Sequence, residues 1–107
     1  MALTRSFKDT IKERALRDPG FRESLLRESI ELMLAGEVEI GKSMLRDYIN
    51  ATVGFEELGA LSAKSPKSLM RMFGPKGNPT VTNLFEIIKK LREREGVEFE
   101  VRAVRLD

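Results

Sequence analysis

The fold of this chain is decided by residues 55–80, which read FEELGALSAKSPKSLMRMFGPKGNPT. Apolar side chains at helical spacing predict a short helix over residues 55–62. Ser65 followed by Pro66 has the pattern of an N-cap and a first-turn proline, and it predicts a second helix over about residues 66–73. The glycines and prolines that follow stop this helix. The stretch therefore predicts two short helices joined by a tight turn.

Helical periodicity continues on both sides of this stretch. Before it, the pattern predicts a helix that ends near Asp18, a second that starts at Pro19 with Asp18 as its cap, and a third over about residues 37–53. After it, Thr80 caps a last helix that closes at Glu95. The apolar faces of the helices are expected to form the core, from Phe7, Ile11, Ala15, Leu16, Phe21, Leu25, Leu26, Ile30, Leu32, Met33, Ile40, Met44, Leu45, Tyr48, Ile49, Phe55, Leu58, Leu61, Leu69, Met72, Phe73, Val81, Leu84, Phe85, Ile88 and Leu91.

The last segment changes from helical to alternating periodicity. Val97, Phe99 and Val101 alternate with charged residues, which predicts a β-strand over residues 97–105. The chain offers no second strong strand, and a lone strand leaves its backbone unpaired. We expect these three apolar residues to form a dimer interface with the same strand of a second copy, related by a two-fold axis. Two alternatives stay open: pairing with residues 2–4, or a segment that remains unpaired.

These patterns together define the expected fold class. The 107 residues form one domain, residues 1–107, which is all-α with five to six helices and one C-terminal strand. Residues 1–17 are either a partner-binding arm or an ordinary amphipathic helix packed on the core.

Composition excludes several classes of protein. The chain contains no cysteine and no histidine, so disulfides, thiol chemistry and Ser-His-Asp catalysis are excluded, and a zinc site is not expected. No stretch reaches the ~20 apolar residues that span a bilayer, and the N-terminus lacks the apolar block of a secretory signal. We therefore expect a cytoplasmic protein that is not an enzyme, with no cofactor, no metal and no membrane partner.

Positive charge is concentrated in the middle of the chain. The net charge is only +2, but no acidic residue occurs between Glu57 and Glu86. The basic residues in this gap are Lys64, Lys67, Arg71 and Lys76. Such a segment suits a polyanion, because each cation near a phosphate releases counterions. The alternative is a chance excess of cations on a solvated face.

The two short helices of residues 55–73 have the pattern of a helix-turn-helix. The second helix has an apolar side for docking and a polar side for a DNA major groove, about 12 Å wide. On the polar side, Arg71 is suited to a guanine or to a phosphate, and Lys67 and Ser68 to phosphates. Lys76 and Asn78 lie in the following loop, where they are expected to contact the backbone of the duplex. The alternative is a helical hairpin with a solvated basic face.

The same stretch resembles a known family. The residues that carry the resemblance are the Ser68-Leu69 pair, the Gly77-Asn78-Pro79 turn with its Thr80 cap, and the upstream Asp18-Pro19-Gly20-Phe21. They are similar to the addiction-module antidote (antitoxin) proteins of the phage-repressor-like (XRE-type) helix-turn-helix superfamily. The resemblance covers most of the chain and is strongest over residues 55–95. Ala63 stands where the turn of this superfamily often has glycine, and Lys64 where a small apolar residue is usual. Both are tolerable if the turn avoids positive φ.

The resemblance implies a cytoplasmic, dimeric transcriptional repressor of its own operon. Because a two-fold dimer presents two copies of the second helix to successive major grooves, we expect its operator to be an inverted repeat. It also implies a protein partner, a RelE-like ribonuclease toxin that the antitoxin neutralises by direct binding. By position, the recognition helix is residues 65–73. The residues expected to contact DNA are Lys64, Ser65, Lys67, Ser68, Arg71, Lys76 and Asn78.

Three other functions remain open from the sequence. The chain is a stand-alone regulator if no toxin gene accompanies it. It is a protein-interaction module if the helix-turn-helix serves only as a scaffold. A small carboxylate-dependent enzyme requires a pocket of acids with perturbed pKa values, and no spacing of acids indicates one.

Overall fold

A computed structural model gives the fold of the chain and describes residues 6–107. These residues form six α-helices: α1 (Phe7–Arg17), α2 (Pro19–Leu34), α3 (Val38–Ala51), α4 (Phe55–Ser62), α5 (Pro66–Met72) and α6 (Val81–Glu95). The number and order of the predicted helices are confirmed, and the predicted bounds agree with these to within about two residues. None of the described helices is long and apolar enough to cross a membrane.

Short polar residues begin four of the six helices. The side chains of Asp18, Ser65 and Thr80 each accept a hydrogen bond from the backbone N–H three residues further on, at 3.0–3.1 Å. Ser6 does the same at the start of α1. These bonds satisfy amide groups that have no partner within the helix. The caps predicted at Asp18, Ser65 and Thr80 are therefore confirmed.

The core lies where α2, α3, α4, α5 and α6 meet. Its fully buried side chains include Leu26, Leu45, Ile49, Leu58 and Leu69. The long helices α2 and α3 pack along each other, and α4 packs against both α5 and α6. α1 covers the outer side of α3 through Ile11 and Ala15, which are buried in a smaller cluster. Residues 1–17 are predicted to be either a partner-binding arm or an amphipathic helix packed on the core, and α1 is such a packed helix. Residues 1–5 lie outside the described residues.

Six residues expected in the core are exposed. Phe7 and Ile40 line an open groove between α1 and α3, where no other element of residues 6–107 covers them. On α6, the buried side runs through Ile87, Ile88 and Leu91, so Phe85 lies on the flank of that side. Periodicity predicts an apolar face but not whether a neighbour covers it. The expectation of burial is wrong for Phe7, Leu16, Ile40, Leu61, Val81 and Phe85.

The C-terminal segment has neither helix nor strand in the single chain. Val97 and Phe99 are half-buried, and Phe99 packs on the core. Val101 is 81% exposed. A β-strand is defined by its backbone hydrogen bonds to a neighbouring strand, and no residue within 6–107 forms such a ladder. The predicted strand at residues 97–105 and its pairing in a dimer therefore stay predictions, while pairing with residues 2–4 involves residues outside those described.

Candidate nucleic-acid interface

The helices α4 and α5 are joined by a turn of three residues. Ala63 closes α4 in the left-handed conformation, with φ +57°, and the Lys64 N–H donates to the Gly59 carbonyl at 3.2 Å. Gly59 lies close to the turn and to the start of α5, because a Cβ added there would lie 2.8 Å from the Lys64 carbonyl oxygen and 3.2 Å from the Pro66 ring. The turn therefore does not meet the condition, an absence of positive φ, under which Ala63 is tolerated without strain. Ala63 thus has the backbone conformation that favours glycine.

One side of α5 is docked and the other is open to solvent. Leu69 is buried in the core, and Phe73, just after the helix, is buried with it. Lys67, Ser68 and Arg71 are exposed on the other side. Within the described residues, the side chains of Lys67 and Arg71 have no hydrogen-bond or ion-pair partner. Two full positive charges on this helix are therefore available to a ligand.

Ser65 has the capping role predicted for it, and Lys64 has a structural role at the turn that the sequence pattern did not indicate. The Ser65 hydroxyl oxygen accepts the Ser68 N–H, so its acceptor side is occupied by the cap. Lys64 points to α6, where its Nζ lies 3.3 Å from a Glu86 carboxylate oxygen and donates to the Asn83 side-chain oxygen at 3.4 Å. The charge of Lys64 is therefore balanced by Glu86, and the lysine fastens the turn to α6.

The loop between α5 and α6 is held by a buried lysine from α3. Lys42 is only 3% exposed, and its Nζ donates to the backbone oxygen of Gly77. The carboxylate of Glu39 lies 3.1 Å from the same Nζ and balances its charge. Gly77 itself packs on the end of α5, where an added Cβ would collide with the carbonyl oxygens of Arg71 and Met72.

The exposed residues Lys76 and Asn78 flank Gly77. Because Gly77 is fixed on two sides, its neighbours are held in one position beside α5. Neither side chain has a partner within residues 6–107. Arg46 of α3 lines a shallow cleft together with Phe73, Gly74 and Pro75, and it adds a further cation beside this loop. Sequence reasoning missed Lys42 and Arg46, since both lie on a helix distant in sequence from the loop.

A second polar cluster lies on the opposite end of α6. Tyr48 donates to one carboxylate oxygen of Glu95 at 2.6 Å, and Arg22 donates to the other at 3.0 Å. Arg22 also donates to the Ala15 carbonyl at 2.7 Å. Burial, together with the bond to Glu95, raises the pKa of Tyr48 well above its usual range. The cluster joins α1, α2, α3 and α6, and the predicted place of Tyr48 in the core is confirmed.

Comparisons with protein-family models, with curated proteins and with solved structures find no match for this chain. Within residues 6–107, no group of three or more acidic side chains is placed to hold a metal ion. What the geometry offers is one polar surface, formed by α5 and the loop after it, on which the cations of Lys67, Arg71 and Lys76 are unneutralised.

Proposed function

We propose that this protein is a DNA-binding transcriptional regulator that places α5 in the major groove as the second helix of a helix-turn-helix. The observation that carries the proposal is the two-sided character of α5. Leu69 docks the helix on the core, while Lys67 and Arg71 stand exposed and unneutralised on its other side. A recognition helix needs this combination of a fixed inner side and a free donor side.

The exposed side chains divide by the part of the duplex they are suited to. The fork of Arg71 fits the two acceptors of a guanine edge. Lys67 and Lys76 supply point charges for phosphates, and Ser68 and Asn78 supply shorter hydrogen-bonding groups on the same side. Lys64 and Ser65 support the turn. In addition, the N–H groups of Lys64 that Glu86 and Asn83 do not bind, and the hydroxyl hydrogen of Ser65, donate to the nearest phosphate. Base contact by Arg71 gives sequence specificity, and the phosphate contacts give affinity.

The regulator acts as a homodimer in this proposal. A two-fold dimer presents two copies of α5 to successive major grooves about 34 Å apart. The operator is then an inverted repeat, and occupancy of the protein's own upstream region represses its operon. The strand of residues 97–105 supplies the dimer contact, with Val97, Phe99 and Val101 in the interface.

The experiment that tests this function is a fluorescence-anisotropy titration. A duplex from the protein's own upstream region and a scrambled duplex of equal length are each titrated at several salt concentrations. We expect tighter binding to the native duplex and a steep fall of affinity with salt. Equal and weak binding to both duplexes would overturn the proposal and leave the cations as a solvated surface.

We propose as a second function that the protein is an antitoxin that binds a RelE-like ribonuclease toxin. The resemblance to antidote proteins suggests it, and the open groove of α1 and α3 favours a protein partner. This groove exposes Phe7 by 72% and Ile40 by 55%, and Glu39 and Asp47 also line it. An apolar groove with acidic residues at its edge complements a nuclease, whose RNA-binding chemistry calls for cations.

The toxin proposal is tested with the small protein from an adjacent reading frame. We expect the two proteins to co-elute in gel filtration. The Ile40→Asp variant should lose the toxin while it keeps operator binding. Val38→Asp, at an exposed position of α3 that does not line the groove, serves as the control. Operator binding without any complex would identify a stand-alone regulator. A tight complex without operator binding would identify an interaction module.

A further inference from the structure

The backbone of the C-terminal segment is open for pairing. The end of α6 uses both polar groups of Val97, because its N–H donates to the Arg92 carbonyl at 3.2 Å and its carbonyl accepts from the Arg92 guanidinium at 3.3 Å. Beyond Val97, no backbone–backbone hydrogen bond within residues 6–107 involves residues 98–107. Unpaired backbone of this kind is a template for another strand.

The side chains of the segment give it two different faces. Phe99 packs on the core and fixes the first part of the segment beside α2, where Val97 and Phe99 line a cleft with Gly20. Val101 continues the apolar face into solvent. Glu98 also lines this cleft, and in an extended strand Glu98, Glu100 and Arg102 alternate with the apolar residues and form the opposite face. A strand that pairs here must therefore be apolar on one face and carry complementary charges on the other.

A second copy of the same segment meets both conditions in one register. In two identical antiparallel strands related by a two-fold axis, each residue lies opposite a residue of the same face. One residue, the one at the axis, therefore lies opposite its own copy, and each choice of that residue defines one register. An axis at Glu100 would place two glutamates opposite each other, and an axis at Arg102 two arginines. An axis at Phe99 would place Glu98 opposite Glu100. Like charges directly opposite each other are unfavourable.

The axis at Val101 has none of these conflicts. It places Glu100 opposite Arg102 of the second copy, and symmetry repeats this ion pair. On the other face it places Val101 opposite Val101 and Phe99 opposite Ala103, which extends the apolar face from the core of each copy. We infer that the segment pairs with a second copy of this chain in this register. The inference rests on the dimer of the proposed function, and it names the contacts that hold that dimer.

Cysteine cross-linking tests the register, and the chain contains no cysteine of its own. Directly opposite Cβ atoms lie about 4.5–5.5 Å apart, close to disulfide geometry, while diagonal neighbours lie about 7–8 Å apart. Under mild oxidation we expect Val101→Cys to form a covalent dimer. Glu100→Cys and Arg102→Cys should cross-link poorly alone but efficiently when the two variants are mixed. Ala60→Cys, an exposed position on α4, measures random collision.

The outcomes separate this inference from the proposed function. Faster cross-linking of Glu100→Cys or Arg102→Cys alone than of Val101→Cys would overturn the register, and cross-linking of no variant above the control would overturn the interface. DNA does not enter this experiment. Specific operator binding without cross-linking would refute the inference and the dimer contact through residues 97–105, but it would leave DNA binding by α5 standing. Cross-linking without specific DNA binding would refute only the proposed function.

A charge exchange supplies an independent measurement. Glu100→Arg and Arg102→Glu each create two like-charge contacts, and we expect each to weaken the dimer about tenfold in sedimentation equilibrium. The double variant Glu100→Arg/Arg102→Glu restores both ion pairs and should return the dissociation constant to near that of the unchanged protein. A double variant as weak as the single ones would contradict the register.

Discussion

The buried ammonium group of Lys42 on α3 donates a hydrogen bond to the backbone oxygen of Gly77, thirty-five residues further along the chain. Through this bond, the helix that is central to the core holds the loop that follows α5. Lys76 and Asn78 lie on either side of the bonded residue, so their positions depend on a lysine that does not itself reach the surface. The relationship links the stability of the fold to the shape of the candidate interface.

The first prediction concerns this bond. Lys42→Met keeps much of the side-chain volume but leaves the Gly77 carbonyl without its donor, and we expect unfolding to become easier by about 1–3 kcal/mol. DNA affinity should fall because the loop loses its support. The salt dependence of binding should not change, because Lys42 contacts no phosphate. Urea denaturation and the anisotropy titration measure the two effects, and Ser43→Ala, an exposed neighbour, is the control. Unchanged stability would show that the bond contributes nothing.

The second prediction concerns Lys76, which is exposed beside Gly77. If Lys76 contacts a phosphate as proposed, we expect Lys76→Ala to make the slope of log affinity against log salt shallower by about 0.9. The preference for the native over the scrambled duplex should change little. Arg17→Ala removes an equal charge from α1, which does not pack on α5, and should leave the slope as it is. A lost preference with an unchanged slope would contradict the phosphate contact.

The third prediction concerns Arg71, the only arginine on α5. If it binds a guanine edge, Arg71→Ala should lower specific affinity by about 1–3 kcal/mol and relax the choice of base at one operator position. The scrambled duplex should be affected much less. Titration of an operator set with single base changes measures both effects. Affinity that is equal for the variant and the unchanged protein would remove Arg71 from base recognition.

The helices and their caps could be predicted because their signals are local. Asp18, Ser65 and Thr80 each bond to an amide three residues away, so the sequence motif contains the whole interaction. The exposed side of α5 could be predicted for a similar reason. Its apolar and polar residues are set by helical periodicity within seven residues.

Long-range contacts account for what the sequence analysis missed. The bond of Lys42 to Gly77 and the pairing of Lys64 with Glu86 depend on how distant helices pack, and no spacing along the chain indicates either. The exposure of Phe7 has the same origin. Its helical phase matches that of the buried Ile11, yet no described element covers it. Periodicity fixes the direction of a side chain, whereas packing decides whether it is buried.

The fourth prediction concerns the turn between α4 and α5. Ala63 has φ +57°, a conformation that costs an L-residue about 1–2 kcal/mol, and glycine removes this cost. Glycine also makes the unfolded chain more flexible, which offsets part of the gain. We expect Ala63→Gly to stabilise the fold by about 0.5–1 kcal/mol in urea denaturation. Ala60→Gly, the same change three residues earlier inside α4, should instead destabilise it by about 1 kcal/mol. Destabilisation by both changes would contradict the argument.

The fifth prediction concerns pH. Burial and the bond to Glu95 raise the pKa of Tyr48 above its ordinary value of about 10, so the folded protein holds this proton while the unfolded chain releases it. The stability that this group contributes is therefore complete below about pH 10 and is lost as the pH rises above it.

The Tyr48→Phe variant tests this prediction. Near neutral pH it should cost about 1–3 kcal/mol of stability, because Glu95, whose side chain is 6% exposed, loses a hydrogen-bond donor. Above pH 10 its stability should fall less steeply than that of the unchanged protein. Since Tyr48 is the only tyrosine, tyrosinate absorbance follows its ionisation alone. Ionisation in the native protein at the ordinary pKa would contradict the prediction.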